Sequence, residues 1–101
     1  MINIRHRTGD PSTTVTFSLE YVSPVSVVGD FNGWDPLANP LDPQSNGLRS
    51  AAVDVPDGME LRFRYLADGG HWFDDPDADR FEPNGFGQSH GVVVAEIPPA
   101  P

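Results

Sequence analysis

The stretch MELRFRYLADGGHWF, residues 59–73, decides the fold class of this chain. Apolar residues alternate with arginines over Met59–Ala67, and a period of two is typical of a β-strand that buries one face. The turn residues Asp68–Gly70 follow, and they favour a tight hairpin that returns through His71–Phe73. The sequence therefore predicts an antiparallel hairpin here, with Arg64–Leu66 close to the returning strand.

Further short runs of strand character lie on both sides of this hairpin and are separated by turn residues. These predicted strands are Thr13–Glu20, Val25–Val28, Leu48–Val55 and Gly91–Ile97. Eleven prolines and ten glycines interrupt the chain, so helices of ordinary length are not predicted. The sequence thus predicts an all-β fold, an immunoglobulin-like antiparallel β-sandwich of about seven strands. The period of two places in its core Val15, Phe17, Leu19, Val27, Leu61, Phe63 and Tyr65.

The length of 101 residues predicts one domain. We divide the chain into an N-terminal extension (1–12), the sandwich module (13–97) and a proline-rich tail (98–101). The first residues contain no apolar run as long as a signal peptide requires. No segment approaches the roughly 20 apolar residues of a membrane span. Cytoplasmic residence is therefore expected.

Charge and cysteine content exclude several kinds of partner. Fifteen acidic residues stand against six basic ones, all arginine, for a formal net charge of −9. Nucleic acids and anionic membranes bind clustered basic residues, so neither is an expected partner. The chain has no cysteine, which excludes disulfides, thiol catalysis and thiolate metal sites. A neutral ligand or a protein partner fits this charge better.

Two tryptophans and an arginine form the strongest candidate site. Trp34 lies in a turn-rich segment, and Trp72 follows the hairpin turn directly before Phe73. Alternation puts Trp72 and Phe73 on opposite faces, so at most one of them enters the core. Arg64 lies on the strand face opposite the apolar residues. Flat indole faces beside a fork of donors can bind a sugar by stacking and hydrogen bonding, whereas core packing of the indoles is the alternative.

Acidic and histidine residues give weaker signals. Four aspartates suggest calcium, but Pro76 interrupts them and neither a glycine at the tight-turn position nor a final glutamate is present. A helical turn with Asp75 as its N-cap is the simpler interpretation. The three histidines accompany no known catalytic motif. The sequence therefore predicts no catalytic residue, no metal and no cofactor. The four aspartates are Asp74, Asp75, Asp77 and Asp79, and the three histidines are His6, His71 and His90.

Two motifs resemble those of a known family. They are VVGDFNGW at residues 27–34 and FRYLADGGHW at residues 63–72. Both resemble the early-set, immunoglobulin-like domain of isoamylases and glycogen-branching enzymes, which is also the glycogen-binding domain of the AMP-activated protein kinase β subunit. The segments DPDAD at 75–79 and PNGFG at 83–87 resemble bacterial members. The resemblance covers about residues 13–96.

The resemblance implies binding of α-1,4-linked glucans, as polysaccharide or oligosaccharide, through Trp34, Trp72 and Arg64. Arginine stands where the kinase-type domains have lysine. Those domains also use an asparagine near the start of the last strand, and this chain has QSHG at residues 88–91 there. Asn32 of the first motif and His90 of the last segment complete the candidate carbohydrate-binding residues.

A second function from a different class stays open. The module would dock on a glycogen- or starch-metabolising enzyme, or self-associate through a sheet edge. A monomer or a weak homodimer is expected. Catalysis is not predicted, because glycoside hydrolysis needs two carboxylates across a cleft and a sandwich this small has little room for one.

Overall fold

The computed structural model describes residues 1–6, 9, 11–83, 85 and 87–95, and they form two packed antiparallel β-sheets. The prediction of an all-β, immunoglobulin-like sandwich is confirmed. The strands are β1 (Ile2–His6), β2 (Ser12–Leu19), β3 (Val25–Gly29), β4 (Asp42–Pro43), β5 (Arg49–Pro56), β6 (Glu60–Ala67), β7 (His71–Phe73), β8 (Arg80–Pro83) and β9 (Ser89–Val94). One 3-10 turn, Asp30–Asn32, follows β3. No helix in the described part of the chain has the length and apolar character needed to span a bilayer.

Strand β6 pairs with three other strands of its sheet. The four-stranded sheet has the order β1-β2-β5-β4, and the five-stranded sheet has the order β3-β6-β9-β8 with β7 also paired to β6. Strand β3 lies along one edge of β6, and the other edge pairs first with β9 and then with β7. The predicted hairpin is confirmed, with Leu66 opposite Trp72 and Tyr65 opposite Phe73.

The predicted core is largely confirmed. Six of the seven predicted residues are fully buried, and Leu19 is half-buried against them. The aromatic rings of Phe17, Phe63 and Tyr65 contact one another, with centroids 4.8 to 6.4 Å apart. Phe31 of the 3-10 turn stacks on Phe17 at 5.9 Å. This cluster ties the segment before Trp34 to the centre of the sandwich.

The structure contains more strands than the sequence predicted. Nine are present among the described residues, and β1, β4 and β8 lie outside the six strand segments that the sequence analysis named. Strand β1 lies within the predicted N-terminal extension, where Ile2 and Ile4 pack against the core. Strand β8 lies between the predicted strands His71–Phe73 and Gly91–Ile97, where no strand was predicted. Short edge strands cannot be recognised from the sequence alone, because they form only where a neighbouring strand is available for pairing. The predicted tail, 98–101, and residues 96–97 lie outside the described residues.

Asp75 forms the predicted cap, and the segment after it makes one turn. Its Oδ1 accepts a hydrogen bond of 2.8 Å from the Asp77 amide, and its carbonyl accepts one of 3.2 Å from the Ala78 amide. These bonds close a single turn. The buried Oδ2 accepts a hydrogen bond of 2.6 Å from the Tyr65 hydroxyl. Burial, then this hydrogen bond, raises the pKa of Tyr65 above its ordinary range. Asp75 therefore caps this turn and also links it to Tyr65 in the core.

Candidate carbohydrate-binding surface

The outer face of the five-stranded sheet carries most of the predicted site residues. Side chains on this face alternate with the core residues of β6 and β9, which assigns Arg64, Leu66 and His90 to it. Trp72 lies opposite Leu66 on the same face and is 42% exposed, whereas Phe73 packs against the core. We call this surface, defined by Trp34, Arg64, Leu66, Trp72 and His90, the tryptophan face.

Trp34 reaches this face from the loop after β3. Its side chain is 42% exposed, and its ring centroid lies 5.9 Å from that of His90. Its φ is 59°, which makes it the one non-glycine residue of the described chain in the left-handed region. Such a backbone costs about 1–3 kcal/mol and persists only when the surroundings hold it. The Trp34 amide is held by a 2.8 Å hydrogen bond to the Gly29 carbonyl.

Asn32 and Gly29 hold the loop in place. The Asn32 carboxamide accepts a hydrogen bond from the Gly29 amide at 3.1 Å and donates to the Val27 carbonyl at 3.1 Å. It also donates to Asn39 Oδ1 at 2.8 Å. A Cβ atom at Gly29 would lie 2.3 Å from a backbone carbonyl oxygen of β6, so only glycine fits. Asn32 therefore ties the start of the loop that carries Trp34 to β3, and its contact with a ligand stays a prediction.

Arg64 lies where the neighbour of β6 changes from β9 to β7. Its Nε donates to Asp74 Oδ1 at 2.9 Å, and its Nη1 donates to Gln88 Oε1 at 2.7 Å. Asp74 Oδ2 also accepts a 3.1 Å hydrogen bond from Ser89 Oγ. The Arg64 side chain is 14% exposed. Two of its five N–H donors are used in these bonds with described residues, which leaves others for a ligand at its exposed edge.

An ion-pair network borders the tryptophan face beside His90. Glu82 Oε1 accepts a hydrogen bond of 2.9 Å from Arg62 Nε, and Oε2 accepts one of 3.0 Å from Arg80 Nη2. Glu60 pairs with both arginines. The hydrogen bond from Arg62, then that from Arg80, lowers the pKa of Glu82 from 4.5 to about 2. His90 Nε2 lies 3.4 Å from Glu82 Oε1, so the network also holds the ring that contacts Trp34.

Replacing Glu82 with glutamine is expected to make the fold less sensitive to acid. Because the pKa of Glu82 is lower in the folded chain, its carboxylate stabilises the fold above the ordinary carboxyl pKa. That stabilisation is lost as the pH falls toward about 2. Thermal unfolding midpoints measured between about pH 7 and 2 should therefore fall less in Glu82→Gln than in the wild type. Glu20→Gln, at an exposed position outside the network, is the control, and equal acid sensitivity of Glu82→Gln and the wild type would contradict the expectation.

Four of the five predicted site residues thus meet on one face, and Asn32 lies in the loop that supports it. Sequence reasoning missed Asn39, Asp74 and Gln88, which hold Asn32 and Arg64. Asp74 was considered only as a calcium ligand and Gln88 only within the QSHG segment, because the partner that defines their role, Arg64, is distant in the chain. The fold and this face define an immunoglobulin-like β-sandwich with an exposed aromatic surface. The chain matches no model of a known protein family, and no curated protein is significantly similar to it.

Proposed function

We propose that this domain is a non-catalytic module that binds α-1,4-linked glucan, of the glycogen or starch type, on the tryptophan face. The main observation in support is that Trp34 and Trp72, each 42% exposed, both lie on the tryptophan face of the five-stranded sheet. The strained backbone of Trp34 adds to this support, because strain of this kind concentrates at functional sites.

Physical chemistry explains how the face would bind a glucan. The apolar faces of pyranose rings stack on indoles, which provide a large rigid area at a small entropic cost. The exposed edge of Arg64 donates hydrogen bonds to sugar hydroxyls, and the His90 ring contacts that of Trp34. A glucan carries no charge, so the net charge of −9 does not oppose its binding. The two motifs that resemble the glycogen-binding domains contain the same tryptophans and arginine.

The carboxylates beside the face favour binding over catalysis. A glycosidase acid must hold its proton near neutral pH, which requires a raised pKa. The pKa of Glu82 is instead lowered to about 2, and hydrogen bonding to Arg80 lowers the pKa of Glu60. These two groups are therefore poor general acids.

Cytoplasmic residence of the domain remains a prediction.

Glycogen retention is expected to change little with salt. Stacking and hydrogen bonds to a neutral ligand involve no counterion release, whereas charge-driven binding weakens steeply as salt rises. Affinity electrophoresis in gels containing glycogen, at about 0.05 and about 0.5 M NaCl, should give retention within about twofold. Gels without polysaccharide correct for the effect of salt on mobility. A strong loss of retention at the higher salt concentration would argue against stacking.

Protein docking or self-association is the second candidate function. It is favoured by Phe81, which is 49% exposed on the edge strand β8. Edge strands with exposed apolar side chains can pair with another chain. Sedimentation velocity separates the two functions: a dimer that disappears in Phe81→Ser, together with no glycogen retention, would favour docking.

A further inference from the structure

A groove beside the tryptophan face has no role in the site described so far. It has a volume of about 290 Å³ and lies between the loop after Trp34 and the β6–β7 turn. Pro36 and Leu37 line one wall, and Leu66 and Gly69 line the other. Leu37 is 85% exposed at this position. The groove is therefore an open apolar cleft with an exposed leucine in its wall.

The groove is continuous with the tryptophan face. Leu66 lies opposite Trp72 in β7 and opposite Ser26 in β3, so the three residues form one row across the sheet. Directly opposed side chains in a sheet have Cβ atoms about 4.5–5.5 Å apart. Leu66 and Ser26 both line the groove, which therefore begins directly beside Trp72. Leu37 follows Trp34 by three residues and brings the other wall to the same face.

The chemistry of the lining suits a sugar ring. Its walls are mainly proline, leucine and glycine, which can cover the C–H faces of a pyranose. The Ser26 hydroxyl and the Asp68 carboxylate are the polar side chains of the lining. Neither makes a hydrogen bond to another described side chain, so both can pair with sugar hydroxyls. The carboxylate also disfavours an anionic occupant.

We propose that this groove binds the glucose units that follow the unit stacked on Trp72, as an additional subsite for the same chain. This inference rests on the proposed glucan binding. A short oligosaccharide occupies the tryptophans alone, and a longer one also fills the groove. Affinity therefore rises with chain length, and part of that rise depends on Leu37 and Ser26.

The test compares maltotriose with maltoheptaose by isothermal titration calorimetry on the full chain. Leu37→Ala removes the exposed wall, and Ser26→Phe fills the groove with a ring that strands accommodate well. Each variant should bind maltoheptaose about three- to tenfold more weakly than the wild type, because apolar contact area is lost, and should bind maltotriose equally well. Val22→Ala, which truncates a 98% exposed side chain outside the groove, is the matched control and should bind like the wild type.

The outcomes separate the two proposals. Longer chains also gain affinity from having more binding registers, but this statistical gain is the same in every variant. If the wild type binds both sugars and both variants keep the full gain with length, the subsite is wrong and the proposed function stands. If the variants lose affinity for both sugars equally, the substitutions in the groove disturb binding at the tryptophan face, and the groove is not a separate subsite. If the wild type binds neither sugar, the proposed function and the subsite are both wrong.

Discussion

Trp72→Ala is expected to abolish retention of the domain by glycogen and to lower the thermal midpoint by no more than about 5 °C. The indole is 42% exposed on the outer face, so a large area is available to a ligand, and the residue is outside the hydrophobic core cluster. A fully buried tryptophan would behave differently, because its loss leaves a large cavity that costs about 3–5 kcal/mol. The two measurements together therefore report on the position of the side chain as well as on its function.

Affinity electrophoresis in glycogen gels, with circular dichroism melting of the same samples, measures both effects. Phe81→Ala is the matched control, because Phe81 is similarly exposed, at 49%, in the same sheet but on the alternate face. The control should be retained by glycogen like the wild type. Unfolding of Trp72→Ala would show that the residue supports the core. Full retention would show that it takes no part in binding, and the docking function would then be favoured.

Trp34→Gly extends the same experiment to the second tryptophan. The substitution removes the indole. It also removes the backbone strain at this position, because glycine adopts the observed φ of 59° without cost. We expect loss of glycogen retention without loss of stability. A marked drop in the thermal midpoint would mean that the indole itself, through its contact with His90, holds the loop.

Phe63→Ala is expected to have the largest effect on stability, about 3–5 kcal/mol, of the 5–15 kcal/mol typical of a domain. Phe63 is fully buried in the central strand β6. Its ring contacts Phe17 at 4.8 Å and Tyr65 at 5.7 Å, so its removal leaves a cavity at the centre of the core between the two sheets. The rigid strands around it cannot close the cavity fully.

Urea unfolding followed by circular dichroism gives the free energy of unfolding of the variant. Phe81→Ala again provides the comparison, because the same ring is removed from an exposed position, and it should cost less than about 1 kcal/mol. Similar losses for the two variants would contradict the assignment of Phe63 to the centre of the core.

Alternation along single strands was readable directly from the sequence. In β6 the side chains at successive positions must point to opposite faces, so the pattern separates Phe63 and Tyr65 from Arg64 before any partner is known. The same rule showed that at most one of Trp72 and Phe73 enters the core, and the structure places Phe73 there and leaves Trp72 exposed. The resemblance of two motifs then suggested a glucan as the ligand. These inferences need only local geometry and turn chemistry.

Tertiary structure alone decided how those residues are held and what surrounds them. Arg64 is fixed by Asp74 and Gln88, which are 10 and 24 residues away in the chain. Trp34 takes its strained backbone in a loop that Asn32 ties to β3, and its ring lies 5.9 Å from that of His90, which is distant in the chain. Edge strands such as β1 likewise depend on a partner strand. Hydrogen bonds and ring contacts of this kind depend on positions in space, and no local pattern of residues specifies which distant side chains will meet.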